Sequence, residues 1–446
     1  MRRTSTALLT DMYEFTMVDA ALESGHADRA SVFEVFNRRL PGSRRYGVVA
    51  GTARVLDAIE RFRLTDEQLA FLRERAIVRP RTIEYLGDLR FRGDVVGYGE
   101  GECFFPGSPI LTVAAGFAEA VVLETVILSI LNHDCAVAAA ASRMTTAAHG
   151  RPCLDMGARR THEDAAIAAA RAAAVAGFAG TSDLEAARLY GIRPIGTAAH
   201  AFTLLHEDEE AAFAAQVAAL GPGTTLLVDT YEVTRGVERA VAAARSAGGE
   251  LGAVRLDSGD LVAQAFMVRA QLDELGATST RITVTSDLDE FAIAALGAAP
   301  VDSYGVGTRL VTGSGHPTAE LVYKMVARAD LDGTLRPVQK ESSSKRSVGG
   351  RKWAGRVLEG GRAAEELVVA ADDATEAMAF LTAEGARPLQ VDLVRGGVIQ
   401  EEHRDADALA RATARHLASR AELPHPAWRL SEGDPALATR QVSLLG

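Results

Sequence analysis

The chain has 446 residues, of which 48% are hydrophobic, and this is enough apolar sequence to bury a large core in two domains. Such a composition excludes disordered and fibrous proteins. The net charge of -11 and the pI near 5.5 argue against broad nucleic-acid binding, because no excess of Lys and Arg is available to neutralise a polyphosphate backbone.

The amino-terminal part of the chain mixes helix and strand signals. The segment LLTDMYEFTM at 8–17 predicts a short helix that presents Tyr13 among apolar residues, and SVFEVFNRRLP at 31–41 predicts a strand that leads to Arg38. A tyrosine favours a planar, π-rich substrate, and guanidinium groups favour a pyrophosphate. The alternative is that Tyr13 belongs to the core and the arginines to the surface.

Several features predict a cytoplasmic protein without a membrane partner. Asp11 and Glu14 interrupt the apolar residues of the amino terminus, which leaves no stretch of signal-peptide length. The most apolar run, at 111–131, holds two glutamates near its centre, where charge is costly in lipid, and a buried helix is therefore expected. The three cysteines show no CxxC spacing, as expected of reduced thiols.

Four apolar runs in the middle of the chain each end in a polar, turn-prone cluster, and helical stretches at 234–249 and 259–277 separate some of them. The runs are LLVDT at 226–230, AVRLDSGD at 253–260, ITVTSD at 282–287 and VDSYGVGT at 301–308. Parallel strands that are buried on both faces show this pattern and carry their chemistry at their carboxyl ends. We therefore predict an α/β protein with an irregular (β/α) barrel-like domain over 131–356. Residues 1–130, with 357–446 packing on them, are predicted to form a smaller α+β domain.

The strand ends are expected to place Asp229, Asp257 and the GVGT loop on one rim. Gly305 and Gly307 beside Thr308 leave backbone N–H groups accessible to a phosphate. Helix capping and turn formation are the commonest uses of Asp, Ser and Gly in loops, and each cluster alone is a weak signal. Four such polar clusters in succession favour a functional site.

His200 lies near the end of the segment GFAGTSDLEAARLYGIRPIGTAAHAF at 177–202, shortly after a predicted strand. A histidine near carboxylates can act as a base, a metal ligand or a phosphoryl acceptor, and Asp229 or Glu232 could orient it. A capping or core role remains the alternative. By the same reasoning the competing candidates are His133, His149, His162 and His206.

A basic segment follows the predicted strands. Between Arg336 and Arg356 there are seven basic residues and one acidic residue, with serines and glycines interleaved. The segment is a candidate anion-binding loop, although a solvated surface loop is the more frequent outcome for an isolated charge run.

Taken together, the segments resemble nicotinate phosphoribosyltransferase, of the type II phosphoribosyltransferase group. The matching strings run in order from about residue 8 to residue 356 and are TDMYEFTM, FEVFNRRLP, GTSDLEAARLYGIRPIGTAAHAF, VDTYEV, VRLDSGDL, VTSDLDE and GVGTRLVT. This family joins nicotinate to 5-phosphoribosyl 1-pyrophosphate, giving nicotinate mononucleotide and pyrophosphate in NAD biosynthesis. The resemblance implies coupling to ATP hydrolysis through a phosphohistidine, here His200, in a homodimer with shared active sites.

The resemblance also implies how the substrate ring is held. Tyr13, supplied across the homodimer interface, is expected to stack on the ring. Arg255 is expected to meet the ring or its carboxylate, and Arg159 is available for the carboxylate. Ser182 stands where nicotinamide-using relatives are expected to carry an aspartate, which suits an acid better than an amide. Met156 stands where relatives often have an aromatic residue, and a thioether can still contact a ring face.

Further implied roles concern the sugar and the phosphates. Asp257, Ser258 and Gly259 are expected to bind the ribose, and the 5-phosphate is expected at Ser286, Gly305, Gly307 and Thr308. Arg38 and the basic residues Lys340, Lys345 and Lys352 are expected to face pyrophosphate or the phosphates of ATP. Asp229 and Asp257 are the expected Mg²⁺ ligands.

Three other functions remain open. Quinolinate phosphoribosyltransferase shares the architecture but decarboxylates its substrate without ATP. A nicotinamide-specific transferase is disfavoured by Ser182. A non-catalytic sugar-phosphate-binding protein is disfavoured by the intact residues His200 and Asp257.

Overall fold

The computed structural model describes residues 4–339 and 348–445. The protein has a mixed α/β fold, as predicted. It divides into two compact units, of which the first is built from both chain ends, up to Ala139 and from His316, and the second spans Ala140–Gly315. The unit built from the ends is the larger one, not the smaller one as predicted. Its boundary falls at 316 instead of 357, because the strand Leu321–Ala329 pairs with an amino-terminal strand.

The strands of the described residues, in chain order, are β1 Ala30–Asn37, β2 Gly47–Val48, β3 Asp94–Tyr98, β4 Cys103–Phe104, β5 Leu111–Gly116, β6 Cys153–Asp155, β7 Thr225–Leu227, β8 Ala253–Leu256, β9 Arg281–Ser286, β10 Ser303–Val306, β11 Leu321–Ala329, β12 Leu335–Pro337, β13 Lys352–Glu359, β14 Arg362–Ala370, β15 Ala386–Pro388, β16 Gln390–Arg395, β17 Val398–Ile399 and β18 Thr439–Ser443.

The α-helices of the described residues are α1 Met12–Glu23, α2 Thr52–Glu60, α3 Asp66–Glu74, α4 Pro80–Asp88, α5 Phe117–Val121, α6 Glu124–Ala147, α7 Glu163–Val175, α8 Leu184–Tyr190, α9 His200–Leu205, α10 Glu209–Leu220, α11 Val233–Ser246, α12 Leu261–Glu274, α13 Glu290–Ala295, α14 Thr308–Val311, α15 Ala374–Ala383 and α16 Ala408–Glu422.

The first unit contains a seven-stranded antiparallel sheet in the order β12–β11–β1–β5–β3–β16–β17. Val35, Val95 and Val113 on its central strands have no exposed surface, which places them in the core of this unit. A second sheet has the order β15–β13–β14–β18 and packs against α15. Strands from the two ends of the chain therefore depend on each other for their hydrogen bonds.

One helical stretch of the described residues, Phe117–Ala147, is long and apolar enough by composition to cross a membrane. Within its most apolar window, 67% of the residues are buried inside the protein, as in the core helix of a soluble fold. The helix predicted over 111–131 begins later than expected, because Leu111–Gly116 form strand β5.

The second unit contains a parallel sheet in the order β6–β10–β9–β8–β7. Isolated bridges extend it from Asp155 to Thr181 and from Thr181 to Pro194. Read from β6 through Thr181 and Pro194, and then from β7 to β10, the strands and bridges are adjacent in the order of the chain. The last strand, β10, lies beside the first, β6. A cyclic order of this kind is typical of a barrel, and closure between Pro194 and β7 remains a prediction.

Acidic side chains cap several helices of the second unit. Asp183 accepts a hydrogen bond from the first turn of α8, Asp260 does so for α12, and Asp289 does so for α13. Each carboxylate satisfies a backbone N–H group that the first helical turn leaves unpaired. Capping is therefore the role of Asp260, although it belongs to the same DSGD cluster as Asp257.

Candidate active site

Asp229 and Asp257 follow the neighbouring parallel strands β7 and β8 and belong to one polar network. Asp229 Oδ2 accepts a hydrogen bond from the backbone N–H of Asp257 at 2.8 Å and from the Ser258 hydroxyl at 3.1 Å. Asp257 in turn accepts a hydrogen bond from the hydroxyl of Thr285 on β9. Three adjacent strand ends therefore meet at one edge of the sheet, which is where the sequence predicted them.

His200 begins helix α9, and its Nδ1 lies 3.0 Å from the hydroxyl of Thr230, the residue after Asp229. Because Nδ1 is engaged in this hydrogen bond, Nε2 is the ring nitrogen left for chemistry. The prediction that Glu232 could orient the imidazole is wrong. Its carboxylate caps α11 by accepting hydrogen bonds from two backbone N–H groups of the first turn.

The competing histidines are engaged elsewhere or carry no comparable partner. His133 lies 2.8 Å from the carboxylate of its neighbour Asp134, in the first unit. His162 caps α7, and a ring nitrogen of His206 lies 2.8 Å from the Phe202 carbonyl oxygen. The sheet edge that holds Asp229 and Asp257 is called the carboxylate edge below. Of the predicted histidines, His200 is the one whose described contacts join it to this edge.

Arg255 lies on β8, and uncharged acceptors hold its guanidinium. Nη1 donates to the Thr197 hydroxyl at 2.7 Å, and Nη2 donates to the Ala198 carbonyl at 3.0 Å. Burial lowers the pKa of Arg255, although the nearby Asp257 and Asp229 oppose that shift. Since a guanidinium stays protonated in proteins, Arg255 is a half-buried cation for which the described residues supply no ion pair.

A cavity of about 290 Å³ lies beside Arg255 within the second unit. Its walls include Leu154, Met156, Ile195 and Thr283. The volume is close to the lower end, about 300 Å³, of small-molecule pockets in proteins. The lining also includes Arg193, Arg281 and Asp302, and it extends to the first residues of β7 to β10. Partly apolar walls that carry three arginines and one aspartate suit a small planar acid.

Gly305 lies where neighbouring side chains leave no room for a Cβ atom. A Cβ at this position would come 2.5 Å from Thr285 Cγ2 and 2.7 Å from Met156 Sδ, which is closer than real Cβ contacts allow. Gly305 is buried, so its missing side chain makes room for Met156, and phosphate binding there remains a prediction. Gly307 is more open, since a Cβ there would meet the nearest atom, the Met156 carbonyl oxygen, at an ordinary 3.4 Å.

The remaining residues predicted to bind the sugar phosphate also lie at the carboxyl ends of strands. Ser286 is the exposed last residue of β9, and Thr308 begins α14 directly after β10. Gly259 has φ 81°, and a Cβ there would lie 2.3 Å from Gln264 Nε2. That left-handed conformation favours glycine and lets the chain turn sharply after Asp257. Their contacts with a ligand remain predictions.

Sequence reasoning missed Asp155, which ends β6. Its side chain is buried and accepts hydrogen bonds from the Thr181 hydroxyl at 2.7 Å and from the Gly157 N–H at 2.8 Å. Burial raises the pKa of Asp155, and these two hydrogen bonds oppose the rise. The Asp155 carbonyl also accepts a bond from the backbone N–H of Ser182 at 2.8 Å, which fixes that predicted substrate residue near the end of β6. An aspartate directly after an apolar residue was the available signal, and a strand of only three residues hid it.

Tyr13, Arg38 and Arg159 are accessible to solvent. Tyr13 lies on α1 and is 44% exposed, and burial together with the charge of Glu124 raises its pKa to about 12. Arg38 follows β1 and its guanidinium lies 5.6 Å from the centre of the Phe36 ring. Arg159 is exposed in the short 3-10 helix that follows Met156. Their roles toward substrates remain predictions.

The predicted basic loop requires a correction. Lys352 begins strand β13, and its Nζ lies 2.7 Å from the Glu34 carboxylate with only 6% of the side chain exposed. Arg356 on the same strand is completely buried. Pairing in the sheet therefore removes both residues from a solvated loop, and Lys352 has its counter-ion within the protein. Lys340 and Lys345 lie outside the described residues.

The carboxylate edge was also tested for its fit to Mg²⁺. Asp229 Oδ1 is buried without a hydrogen-bond partner among the described residues, whereas Asp257 Oδ1 is occupied by Thr285. Within residues 4–339 and 348–445, no group of three or more His, Cys, Asp or Glu side chains converges as a metal site. Mg²⁺ commonly takes one or two protein carboxylates and fills its other positions with water and substrate phosphates. Asp229 fits such a cation when it arrives with a diphosphorylated substrate.

The chain was compared with known protein families. Residues 8–132 match the model described as the nicotinate phosphoribosyltransferase (NAPRTase) N-terminal domain, and residues 152–354 match that of the nicotinate phosphoribosyltransferase (NAPRTase) family. The nicotinate phosphoribosyltransferase pncB1 of Mycobacterium tuberculosis is 54% identical over 98% of this chain and 95% of its own length. The nicotinate phosphoribosyltransferase of Bacillus subtilis is 37% identical over 79% of this chain and 74% of its own length.

The fold also matches a solved structure. The crystal structure of human nicotinic acid phosphoribosyltransferase aligns with a TM-score of 0.81, at 24% identity, over 98% of both chains. Two family models match in chain order, and one relative matches nearly end to end. The chain belongs to the nicotinate phosphoribosyltransferase family.

Proposed function

We propose that this protein joins nicotinate to 5-phosphoribosyl 1-pyrophosphate and forms nicotinate mononucleotide and pyrophosphate, in NAD biosynthesis. ATP is the proposed co-substrate, hydrolysed to ADP and phosphate. The observation that carries the proposal is the edge of the parallel sheet at which Asp229 and Asp257 share one hydrogen-bond network near Arg255. Arg255 also lines a cavity of about 290 Å³. Family membership over the whole chain supports the same reaction.

The pocket chemistry suits an acid more than an amide. Arg255 has uncharged partners at Thr197 and Ala198, and a carboxylate would give its half-buried charge a counter-ion. Nicotinamide carries no charge and would leave the guanidinium without one. Met156 on the cavity wall offers a thioether to the face of the ring.

The transfer itself needs no protein nucleophile. The pyridine nitrogen bonds to ribose C1 while the bond from C1 to the pyrophosphate oxygen breaks, and the electron pair leaves with pyrophosphate. Positive charge develops on the sugar in this step, and the carboxylates of Asp229 and Asp257 at the strand ends are suited to stabilise it. When bound, Mg²⁺ would supply charge neutralisation to the departing pyrophosphate. Asp229 would hold it through the free Oδ1.

His200 is the proposed phosphoryl acceptor. The hydrogen bond between Nδ1 and Thr230 leaves Nε2 to attack the γ-phosphorus of ATP, and ADP departs. Water later releases the phosphoryl group as phosphate. A phosphohistidine adds a dianion near the carboxylate edge, and this added charge is suited to change substrate and product affinities during the cycle.

Other parts of the proposal concern the assembly. A homodimer is proposed in which Tyr13 of one protomer stacks on the substrate ring of the other, and 44% exposure of Tyr13 leaves its ring accessible for that purpose. The barrel-like closure of the parallel sheet belongs to the proposal as well, supported by its cyclic strand order. The proposed location is the cytoplasm.

The decisive assay measures nicotinate mononucleotide with nicotinate or nicotinamide, each with and without ATP. We expect product from nicotinate, acceleration by ATP and little product from nicotinamide. His200→Ala is expected to abolish ATP coupling while slow transfer remains. Stoichiometric ATP hydrolysis by that variant would contradict the role of His200, and absence of product from the wild-type protein would contradict the proposed function.

A further inference from the structure

A short loop connects the nicotinate pocket with the histidine. Residues 196–199 follow the bridge at Pro194 and lead directly into α9, which begins at His200. Packing holds this loop only lightly at Gly196, since a Cβ there would meet no other heavy atom within 4 Å. The two hydrogen bonds from Arg255 to Thr197 and Ala198 are therefore the strong described contacts that attach the loop to the sheet.

The guanidinium of Arg255 can serve two partners at once. It has five N–H bonds, of which the loop uses one from Nη1 and one from Nη2. Nε is buried and has no hydrogen-bond partner among the described residues. Nε together with the second N–H of a neighbouring Nη forms the fork that binds a carboxylate through two parallel hydrogen bonds. A carboxylate can therefore bind Arg255 without displacing the loop, provided that a local shift of the surrounding side chains uncovers the buried Nε.

We propose that Thr197 is a positioning residue that fixes the plane of the Arg255 guanidinium for the nicotinate carboxylate and links that carboxylate to His200. The inference rests on the proposed function, because it assigns Arg255 to an acidic substrate and His200 to ATP coupling. The Thr197 hydroxyl supplies the shorter of the two bonds, at 2.7 Å against 3.0 Å for the Ala198 carbonyl. His200 lies three residues after Thr197, so a change in the loop reaches the first turn of α9.

Two consequences follow for the reaction. The first is specificity, because a guanidinium with a fixed plane discriminates a carboxylate from an amide better than a mobile one. The second is coupling, because an acid bound to Arg255 stabilises the loop conformation that presents His200 beside Thr230. Occupancy of the nicotinate pocket thereby favours productive use of ATP.

The test compares Thr197→Val, which keeps the side-chain shape and removes the hydroxyl, with Thr197→Ser, which keeps the hydroxyl. Thr280→Val is the matched control, since it removes a buried hydroxyl bonded to the Leu251 carbonyl at the amino-terminal edge of the same sheet. For each purified full-length variant, we would measure kcat and KM for nicotinate and nicotinamide, and the ATP consumed per nicotinate mononucleotide. Melting temperatures identify variants that lose stability.

For Thr197→Val we expect KM for nicotinate to rise roughly tenfold or more, as for loss of a hydrogen bond to a charged group. The preference for acid over amide should fall by a similar factor, and more ATP should be consumed per product. Thr197→Ser should stay within about threefold of wild type, because its hydroxyl restores the bond.

An unchanged acid preference and an unchanged ATP-to-product ratio in Thr197→Val would overturn the inference. A loss of kcat alone, equal in Thr197→Val and Thr280→Val, would also overturn it, because a general structural effect moves neither ratio. If Thr197→Val does not fold, Thr197→Ala carries the same expectations. Failure of the proposed function shows separately, as absence of product from the wild-type protein.

Discussion

Two arginines, Arg356 fully buried and Arg255 half-buried, show how differently the two units use the same side chain. Arg356, in the first unit, has no exposed surface and lies 2.9 Å from Glu366, 3.3 Å from Glu422 and 3.6 Å from Glu102. Arg255, in the second unit, donates to one hydroxyl and one carbonyl among the described residues. Nε of both residues lacks a hydrogen-bond partner in the part of the chain that the structure describes, so the two arginines differ in their neighbouring carboxylates.

The counter-ions decide what each arginine can do. Burial by itself lowers the pKa of Arg356, but Glu366 and the other carboxylates more than offset this and raise it above its usual value. The pKa of Arg255 is lowered, because burial dominates there. An arginine with its charge already compensated stabilises the fold, and one without compensation is suited to bind an anionic ligand.

The largest effect is expected from Arg356→Met, which tests the structural half of the comparison. Removal of the guanidinium leaves Glu366 buried with only the Tyr98 and Ser108 hydroxyls as partners. The free energy of unfolding should fall by about 3–5 kcal/mol, measured by urea denaturation. Arg395→Met removes an exposed ion pair with Asp392 and should cost less than about 1 kcal/mol. Equal losses in the two variants would contradict the comparison.

Arg255→Met tests the ligand-binding half. We expect kcat/KM for nicotinate to fall on the order of 100-fold, as for loss of charged hydrogen bonds to a ligand. Stability should change less than in Arg356→Met, because no paired carboxylate is left behind. Steady-state kinetics and urea denaturation measure the two effects, with the exposed Arg245→Met on α11 as control. A large loss of stability with normal kinetics would reverse the assignment.

Glu14 extends the comparison to a buried carboxylate whose partners are neutral. It accepts hydrogen bonds from the backbone N–H of Thr125 at 2.9 Å and from the hydroxyls of Thr10 and Thr125. Burial raises its pKa from 4.5 to about 7, although these hydrogen bonds oppose the rise. The folded state therefore binds more protons than the unfolded state between these values, and stability decreases as the pH rises through this window.

Glu14→Gln should remove that part of the pH dependence. Between pH 5 and pH 7.5, wild-type stability should fall by about 1–3 kcal/mol more than that of the variant. Urea denaturation at several pH values measures the difference. Parallel curves for the two proteins would show that Glu14 does not titrate in this range.

The smallest effect is expected from Thr230→Val, which removes a neutral partner of His200. Loss of a single neutral hydrogen bond should slow formation of phosphohistidine roughly two- to tenfold. Labelling of the protein with γ-phosphate from ATP gives the rate, and Thr234→Val in the first turn of α11 is the control. An unchanged labelling rate would show that Thr230 does not orient the imidazole.

Much of the second unit was predictable from local pattern. Apolar runs followed by polar clusters predicted four parallel strands, which are β7 to β10, and the helices between them occur as α11 and α12. The same pattern placed Asp229 and Asp257 at one edge. Their common position follows from parallel pairing alone and needs no knowledge of side-chain contacts.

Contacts between residues far apart in sequence were not predictable. Arg356 looked like part of a basic loop, but its partner Glu102 is 254 positions earlier in the chain. Lys352 likewise pairs with Glu34 across the chain. Thr197, Thr230 and Thr285 were missed because a threonine is common in strands and loops and gains its role from one neighbour in space.

The connectivity of the two sheets has a consequence for synthesis on the ribosome. Every strand of the parallel sheet has been translated once residue 306 is added, whereas the antiparallel sheet waits for β16 and β17, which end at Ile399. The second unit can thus mature first, while β1 waits for β11 and β3 waits for β16. During that interval their free edges are the segments of the nascent chain most open to aggregation, and chaperone protection is needed there first.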